Sequence, residues 1–270
     1  MGILEKHISV PKKFEDVFSH IYYTENNTDQ TLDKKLVPDL QAIIAFSLGN
    51  NINLSINETE VLAVDKYLIL GPIRQTLSYQ LQPGSILLVI NFKWDAFYRF
   101  FGHSLASYTE FIKDPDQLIN DTCFTDLCIQ IKKMGTLTEK IDCILDFCEP
   151  YLRDRTPGSI PLMNQQENNI SSIKSIAAEK GYSERTVQLN HKKYFGYTAK
   201  EHARYQRFKK VIDLITTLQK TNQEIDWLDI VTTCNYYDQS HLIHDFNHYL
   251  QLSPNQYLKL QEQLCVTKLP

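Results

Sequence analysis

The pattern of apolar and polar positions changes once along the chain, near residue 95. Between about 36 and 92, short apolar runs are separated by Asn, Gly, Asp and Pro, and apolar residues alternate with polar ones over 52–56 and 77–81. A period of two is typical of strands, and the adjacent Pro83 and Gly84 indicate a tight turn. This part of the chain therefore predicts several short strands in an antiparallel β sandwich or small barrel.

After residue 95 the apolar spacing becomes helical. A short aromatic helix is predicted over 96–101, and a longer one over 138–152, where five apolar residues share one face. These are Ile141, Ile144, Leu145, Cys148 and Leu152. The stripe can serve as a homodimer seam or can dock the two halves of the chain. Three breaker residues and a polar run predict a linker over 153–169, after which only helical patterns follow.

The last third of the chain repeats itself weakly at an offset of fifty-five residues. The matching pairs are Val187 with Leu242, His191 with Phe246, Tyr194 with Tyr249, and Gly196 with Gln251. In each copy a short helix is followed by a break, at Gly181 in copy one and at Asn235 in copy two, and both residue types tolerate a left-handed conformation. Ser183 and Asp238 then stand where helix N-caps are expected.

A second helix is predicted in each copy, over 184–195 and 239–250. A helix, a turn with Gly or Asn and a second helix form the helix-turn-helix pattern. Between the copies, apolar residues at helical spacing over 208–218 predict a long connecting helix. Such a helix can hold two recognition helices about one DNA turn apart.

The segments SERTVQLNHKKYFGYTAKE and YYDQSHLIHDFNHYLQLSPNQY, at 183–201 and 236–257, resemble the two recognition-helix signatures of AraC-type transcription regulators. The resemblance implies a tandem helix-turn-helix DNA-binding domain over 170–262. More weakly, VPDLQ, LGPIRQTLSYQL and WDAFYRFFG resemble the N-terminal domain of a subset of these regulators. That resemblance implies a β-rich domain over 1–152, ending in a linking helix, that senses an effector or mediates dimerisation. The expected fold class is therefore α+β, with an all-α C-terminal domain.

The candidate DNA-binding residues lie on the two predicted recognition helices. They are Arg185, Thr186, Gln188, Leu189, Lys192 and Lys193 in copy one, and Gln239, Ser240, His241, His244, Asn247 and His248 in copy two. Gln188 can bind an adenine edge, Arg185 can bind guanine or phosphate, and the two lysines suit phosphates. His191 is interpreted instead as a core-edge histidine.

The chain departs from the family at positions that usually carry arginine, filled here by Leu189 and His244. Leucine donates no hydrogen bond, and histidine is charged only when protonated. The predicted helix over 239–250 contains no Lys or Arg. We therefore expect copy one to supply most of the affinity for double-stranded DNA, and copy two to add weak or pH-sensitive contacts.

Charge and composition constrain this interpretation only modestly. The formal net charge is −4, but residues 151–270 carry 15 Lys and Arg against 12 Asp and Glu, a balance of +3. No run of about 18 apolar residues and no signal-peptide pattern occur, so we expect a cytoplasmic protein without a membrane span. The spacing of the six cysteines is not that of a zinc site, so reduced thiols are expected.

Two other classes of protein are alternatives to a regulator. An enzyme, such as a metal-dependent cupin, would need His and carboxylate groups on strands, whereas His7, His20 and His103 lie outside the strand-like region, and no common catalytic motif is present. No enzyme activity, cofactor or metal is therefore expected. The second alternative is an interaction or sensor protein that keeps the fold but has weakened DNA binding.

Overall fold

The computed structural model describes residues 2–56, 60–107, 112–163, 173–221 and 223–260. The strands are β1 (Ile3–Ile8), β2 (Phe18–Asn26), β3 (Leu32–Leu36), β4 (Ile43–Ser47), β5 (Ile52–Ser55), β6 (Val61–Val64), β7 (Tyr67–Leu70), β8 (Leu77–Leu81), β9 (Ile86–Phe92) and β10 (Ile112–Lys113). They form a six-stranded sheet in the order β1-β2-β9-β4-β7-β10 and a four-stranded sheet in the order β3-β8-β5-β6. Every strand pair in the two sheets is antiparallel.

The strands from β4 to β9 lie where the apolar pattern predicted them, but β1, β2, β3 and the short β10 were not predicted. β2 is a central strand whose sequence, FSHIYYTEN, places polar residues at buried positions. Asn26 is fully buried, and its side-chain amide donates hydrogen bonds to the carbonyls of Leu81 and Gln30, both at 2.8 Å. A buried polar group is tolerated when it is hydrogen-bonded, so tertiary partners allow a strand that the apolar pattern does not reveal.

The N-terminal domain has three layers. One face of the six-stranded sheet packs on the four-stranded sheet, and the other packs on helices. The core between the two sheets includes Tyr22, Ile43, Leu54, Leu68, Tyr79 and Val89. The core beneath the helices includes Phe18, Phe46, Leu88, Phe97, Phe124 and Ile144. Because β4 has neighbours on both faces, all five of its residues are buried.

The helices are α1 (Ala96–Phe101), α2 (Pro115–Ile119), α3 (Cys123–Lys133), α4 (Leu137–Cys148), α5 (Ile173–Lys180), α6 (Glu184–Phe195), α7 (Ala199–Lys220), α8 (Trp227–Thr233), α9 (Gln239–Leu250) and α10 (Pro254–Leu260). The first four belong to the N-terminal domain, and the others to the C-terminal domain. The helix predicted over 138–152 ends at Cys148 and continues as a 3-10 turn, Glu149–Tyr151, that contains Pro150. The expected α+β architecture, with a strand-rich N-terminal part and an all-α C-terminal part, is confirmed.

The apolar stripe of α4 packs inside its own chain. Ile141, Ile144, Leu145 and Cys148 are all buried in the core beneath the six-stranded sheet. A stripe covered in this way cannot also form a seam with a second chain, so the homodimer interpretation of this face was wrong. Residues 164–169 of the predicted linker lie outside the described residues, and the domain boundaries stay predictions.

The structure places several of the histidines and cysteines singled out in the sequence. His7 lies on β1 and His20 lies on β2, so the expectation that they lie outside the strands was wrong. The centroids of their two rings are 6.2 Å apart. Within the described ranges, no three His, Cys, Asp or Glu side chains are grouped to hold a metal ion. The five cysteines in those ranges are free thiols. No described helix is long and apolar enough to cross a membrane.

Candidate nucleic-acid interface

Copy one of the repeat comprises α5, a tight turn and α6. Gly181 in the turn has a φ of 68°, and the Ser183 hydroxyl accepts a hydrogen bond from the Thr186 amide at 3.1 Å, so both local predictions are confirmed. The helix α6 ends at Gly196, whose φ is 81°. A Cβ at this glycine would lie 2.7 Å from the Leu105 Cβ of the N-terminal domain. Gly196 therefore permits both the helix end and a close domain contact.

The two sides of α6 have different environments. Val187, Tyr194 and Phe195 are buried in the core of copy one. The opposite side carries Arg185, Gln188, Leu189 and Lys192, which are all exposed and follow the i, i+3, i+4, i+7 spacing of one helix face. We call these four residues the copy-one face. Leu189 is 58% exposed, so this face mixes cationic, amide and apolar groups.

Lys193, next to this face, points toward the N-terminal domain. Its Nζ lies 5.4 Å from the ring centroid of Tyr98 on α1 and 5.2 Å from that of Tyr194. The Tyr98 hydroxyl is the main reason that the pKa of Lys193 is raised. Lys193 is therefore already engaged within the chain, whereas the Lys192 ammonium group has no partner among the described residues. Thr186, the sixth copy-one candidate, is exposed, and its hydroxyl lies 2.9 Å from that of Ser183.

His191 occupies the inner side of α6, at the position that matches Phe246 in copy two. It is 2% exposed, and its Nδ1 lies 2.9 Å from the Tyr197 carbonyl oxygen. Burial lowers the pKa of His191, and a neutral ring with Nδ1 protonated donates this hydrogen bond. Its interpretation as a core-edge histidine is confirmed. The His202 ring lies 6.1 Å away, and burial lowers the pKa of His202 to about 4.

Copy two comprises α8, a turn and α9, and it has the same kind of left-handed turn residue and N-cap as copy one. Asn235 has a φ of 57°, and the Asp238 carboxylate accepts a hydrogen bond from the His241 amide at 2.8 Å. Leu242 and Phe246 are buried in the core of this copy. Where copy one has a C-terminal glycine, Gln251 adopts a φ of 57°. The two copies therefore share their fold but not their helix end.

The exposed side of α9 carries no fixed positive charge. We call Gln239, Ser240, Ile243, His244 and Asn247 the copy-two face, because all five are exposed and lie on one side of the helix. His241 is exposed beside them, and its ring is 6.0 Å from that of Tyr237. His248 is only half-buried on the other flank, 4.7 Å from the Tyr249 ring, and burial lowers its pKa.

A buried carboxylate inside α9 was missed by the sequence analysis. The Asp245 side chain is 4% exposed and accepts hydrogen bonds from Arg204 Nε at 2.7 Å, Arg207 Nη2 at 3.3 Å and the Tyr236 hydroxyl at 2.8 Å. Both arginines come from α7. The sequence contained a signal for this site, because Asp245 lies among the apolar residues on the inner side of an amphipathic helix. A carboxylate buried there needs hydrogen-bonding or cationic partners.

This ion-pair site engages two arginines that would otherwise be available to contact DNA. Arg204 and Arg207 belong to the densest basic cluster of the sequence, with Lys209 and Lys210. Their guanidinium groups instead join α7 to α9, and Arg204 Nη2 also lies 3.0 Å from His244 Nδ1.

The N-terminal domain contacts the C-terminal ends of both recognition helices through one segment, residues 74–76. Arg74 Nη2 donates to the Gly196 carbonyl at 3.3 Å, and Arg74 Nε pairs with Glu201 at 3.1 Å. The Thr76 amide donates to the Tyr249 carbonyl at 2.9 Å. The last carbonyls of a helix lack partners within it, so this segment satisfies acceptors in both copies and ties them to the β7–β8 connection.

One family model and several solved structures are similar to this chain. A family model described as a helix-turn-helix domain matches residues 176–260. No curated protein matches the chain. Among solved structures, ToxT from Vibrio cholerae is similar over 96% of this chain and 99% of its own, with 11% identity and a TM-score of 0.42.

Two further solved structures are similar to all or part of the chain. ToxT from Vibrio cholerae strain SCE256, solved with an unsaturated fatty acid bound, has 12% identity over 98% of this chain and 96% of its own, with a TM-score of 0.41. An RmlC-like cupin from Desulfovibrio desulfuricans has 12% identity over 34% of this chain and 82% of its own, with a TM-score of 0.27. The family match, together with the two caps, turns and recognition helices described above, shows that residues 176–260 are a helix-turn-helix domain.

Proposed function

We propose that this protein is a DNA-binding transcription regulator rather than an enzyme, and that copy one supplies most of its affinity for double-stranded DNA. The main support for the proposal is the composition and exposure of the copy-one face. Four side chains project from one side of a capped helix, within a helix-turn-helix domain, and two of them are cationic. In helix-turn-helix proteins the second helix of the unit enters the major groove.

Each residue of the copy-one face has a matching chemistry in DNA. The Gln188 amide can bind the paired donor and acceptor of adenine, and Arg185 can bind guanine or a phosphate. Leu189 has no polar group, so a thymine methyl is its natural contact. Lys192 lies nearer the C-terminal end of α6 and suits a phosphate. Because Lys193 is held over two tyrosine rings, we assign one phosphate contact to this pair of lysines.

Copy two is proposed as the weaker contact. Gln239, Ser240, His244 and Asn247 offer hydrogen bonds without a permanent charge, and the nearby arginines are bound to Asp245. Phosphate neutralisation dominates the affinity of most DNA-binding proteins, so a face without cations adds selectivity more than strength. His248, half-buried beside Tyr249, is left with the smallest role among the residues considered.

The N-terminal domain, residues 1–152, is proposed as the regulatory part, joined to residues 170–262 through the predicted linker at 153–169. A cavity of about 70 Å³ lies between its two sheets, lined largely by apolar side chains. This volume equals the share of about two water molecules, so it admits an apolar effector only if the sheets separate. We place the protein in the cytoplasm, where its DNA would be.

Selection from random double-stranded DNA with the full chain tests the proposed function. We expect enrichment of a common sequence, and affinity that falls steeply as salt rises, because counterions are released from the phosphates. The double variant Arg185→Gln with Lys192→Gln should lose this binding. Lys12→Gln, which removes one exposed cation of the N-terminal domain, is the matched control and should retain it.

A second candidate function is that of an interaction module that has kept the fold. It is favoured by two exposed apolar side chains of copy two, since Tyr237 is 88% exposed and Leu228 is 64% exposed. The absence of both enrichment and low-salt binding in the selection experiment would establish this candidate over the first.

A further inference from the structure

A second cavity, larger and polar, lies where α1 meets the chain segment that leads toward the C-terminal domain. Its volume is about 180 Å³, and its walls include Asp95, Tyr98, Arg153, Asp154, Thr156 and Ser159. At about 30 Å³ for each water molecule in the liquid, this is room for about six waters, or for one small organic molecule. Small-molecule sites often occur at domain junctions, with a few polar groups that converge on the ligand.

Two residues that line this cavity each have a buried side-chain oxygen without a hydrogen bond. Asp95 is 1% exposed, and only its Oδ1 has a partner, Arg155 Nε at 3.4 Å. Its Oδ2, like the Thr156 hydroxyl, has no hydrogen-bond partner among the described residues. Although Asp95 directly precedes α1, its side chain does not cap the helix. A buried carboxylate oxygen without a donor is costly, and a donor on a ligand would satisfy it.

The cavity wall also carries an unpaired cation. The Arg153 guanidinium lies where a Cβ on Gly102 would sit, and it makes no ion pair with any residue of the described ranges. Arg99, which also lines the cavity, is already bound to Asp16 at 3.2 Å and to the Arg153 carbonyl at 2.8 Å. Arg153 is therefore the cation left available, and Asp95 is the buried acceptor left available.

We propose that this cavity binds a small zwitterion of amino-acid size, with its carboxylate on Arg153 and its ammonium group on Asp95. A ligand that carried only negative charge would meet the carboxylates of Asp95 and Asp154. An apolar ligand would leave the buried carboxylate oxygen and the Thr156 hydroxyl without partners. Only a molecule with a cationic donor at one end and an anionic acceptor at the other can bind both the Asp95 carboxylate and the Arg153 guanidinium.

The site is adjacent to the recognition helix of copy one. Tyr98 lines the cavity, its ring lies 4.9 Å from that of Tyr194 on α6, and Lys193 Nζ lies over it. Tyr98 of α1 thus contacts both the ligand site and α6, the helix that we assign to DNA. The regulatory use of the site rests on the proposed function, but the binding of the zwitterion does not.

Thermal unfolding of the full chain, without DNA, tests the proposal with the proteinogenic L-amino acids as probes at millimolar concentration. We expect at least one of them to raise the melting temperature by about 3 °C or more near saturation, since a ligand that binds only the folded state stabilises it. The methyl ester of that amino acid lacks the free carboxylate, and its N-acetyl derivative lacks the ammonium group. Neither derivative should produce this shift.

Variants then locate the binding site. Arg153→Gln changes an exposed side chain without an ion pair, so it should fold normally and lose at least about tenfold in affinity, as expected when a charge-assisted contact is removed. Lys12→Gln is the charge-matched control and should bind as the original chain does. The proposal is overturned if no amino acid shifts the melting temperature, if the derivatives act equally well, or if Arg153→Gln binds unchanged. DNA selection is a separate measurement, so failure of the proposed function is a distinguishable result.

Discussion

The two helix-turn-helix units have the same fold, but copy one carries its charged side chains on the exposed face and copy two carries them in the interior. In copy one the cations Arg185 and Lys192 stand on the exposed face of α6, and a neutral histidine, His191, occupies the core. In copy two the exposed face of α9 has no fixed charge. The ionic groups lie inside instead, where Asp245 joins two arginines of α7.

The difference shows that a basic cluster in a sequence can serve stability as well as DNA binding. Each copy needs an apolar core, an N-cap and a left-handed turn, and these requirements leave the exposed face free to vary. An acid on the inner side of α9 changes which arginines are available, because a buried carboxylate must be paired. The four predictions that follow test this contrast, in order of decreasing expected effect.

The largest effect is expected for Asp245→Ala. This change leaves Arg204, Arg207 and the Tyr236 hydroxyl without their shared acceptor, so we expect the free energy of unfolding to fall by about 2–4 kcal/mol. Denaturant unfolding of the full chain measures the loss. Asp213→Ala, at an exposed position of α7, is the control and should change stability by less than about 0.5 kcal/mol. Equal losses in the two variants would mean that Asp245 is not a structural group.

Acid should destabilise the C-terminal domain next to copy one, through His202 at the start of α7, whose ring lies 6.1 Å from that of His191 on α6. Burial lowers the folded-state pKa of His202 to about 4, from an ordinary value of 6.5, so the unfolded chain binds more protons between these limits. Stability is therefore present above about pH 6.5 and is lost progressively as the pH falls toward 4, by up to about 3 kcal/mol for this group.

Denaturant unfolding at pH 7 and at pH 4.5 checks this prediction. His202→Gln should reduce the difference between the two pH values, whereas His244→Gln, at an exposed position of copy two, should leave it unchanged. The contrast between the copies fails if the His244 variant has the larger effect.

The two adjacent lysines of α6 should have unequal effects on DNA binding. Lys192→Ala removes a free cation of the copy-one face, so the slope of log affinity against log salt should decrease by about 0.9, with a three- to tenfold weaker complex, roughly as for one phosphate contact. Lys193→Ala removes a cation already held by two tyrosines and should leave the slope nearly unchanged. Identical slopes for the two variants would contradict the separation of these residues.

The smallest effect is expected at the ends of the recognition helices. Gln251 is held at a φ of 57°, so Gln251→Gly should stabilise the chain by up to about 1 kcal/mol. Gly196→Ala should do the opposite, because its φ is 81° and a Cβ would meet Leu105 at 2.7 Å. Thermal unfolding of both variants measures the two shifts, and shifts of the same sign would show that the helix ends do not differ in strain.

The success of sequence-based prediction differed between the two domains for a physical reason. The bounds of α6 and α9 agree with the predicted helices, because their caps, turns and apolar spacing are encoded within a few neighbouring residues. β2 was not predicted, because its buried Asn26 and His20 depend on strands and loops far along the chain. Strand pairing is a long-range property, and polar residues in a central strand hide the pattern that signals it.

The candidate site shows the same limit. The exposed position of the copy-one face follows from helical spacing, and the structure agrees. The orientation of Lys193 toward Tyr98 and the pairing of Arg204 with Asp245 do not follow from it, since these pairs are 95 and 41 residues apart.

Short-range signals in the sequence are enough to define the two helix-turn-helix units and the strand-rich part before them. Capping residues, left-handed turn positions and apolar periodicity act over a few residues and can be recognised without a fold. Only the tertiary structure decided which charged groups remain free, that the α4 stripe is covered within its own chain, and that Arg74 and Thr76 hold the ends of both recognition helices. Burial and ion pairing depend on which distant segments meet, and that is a property of the folded chain.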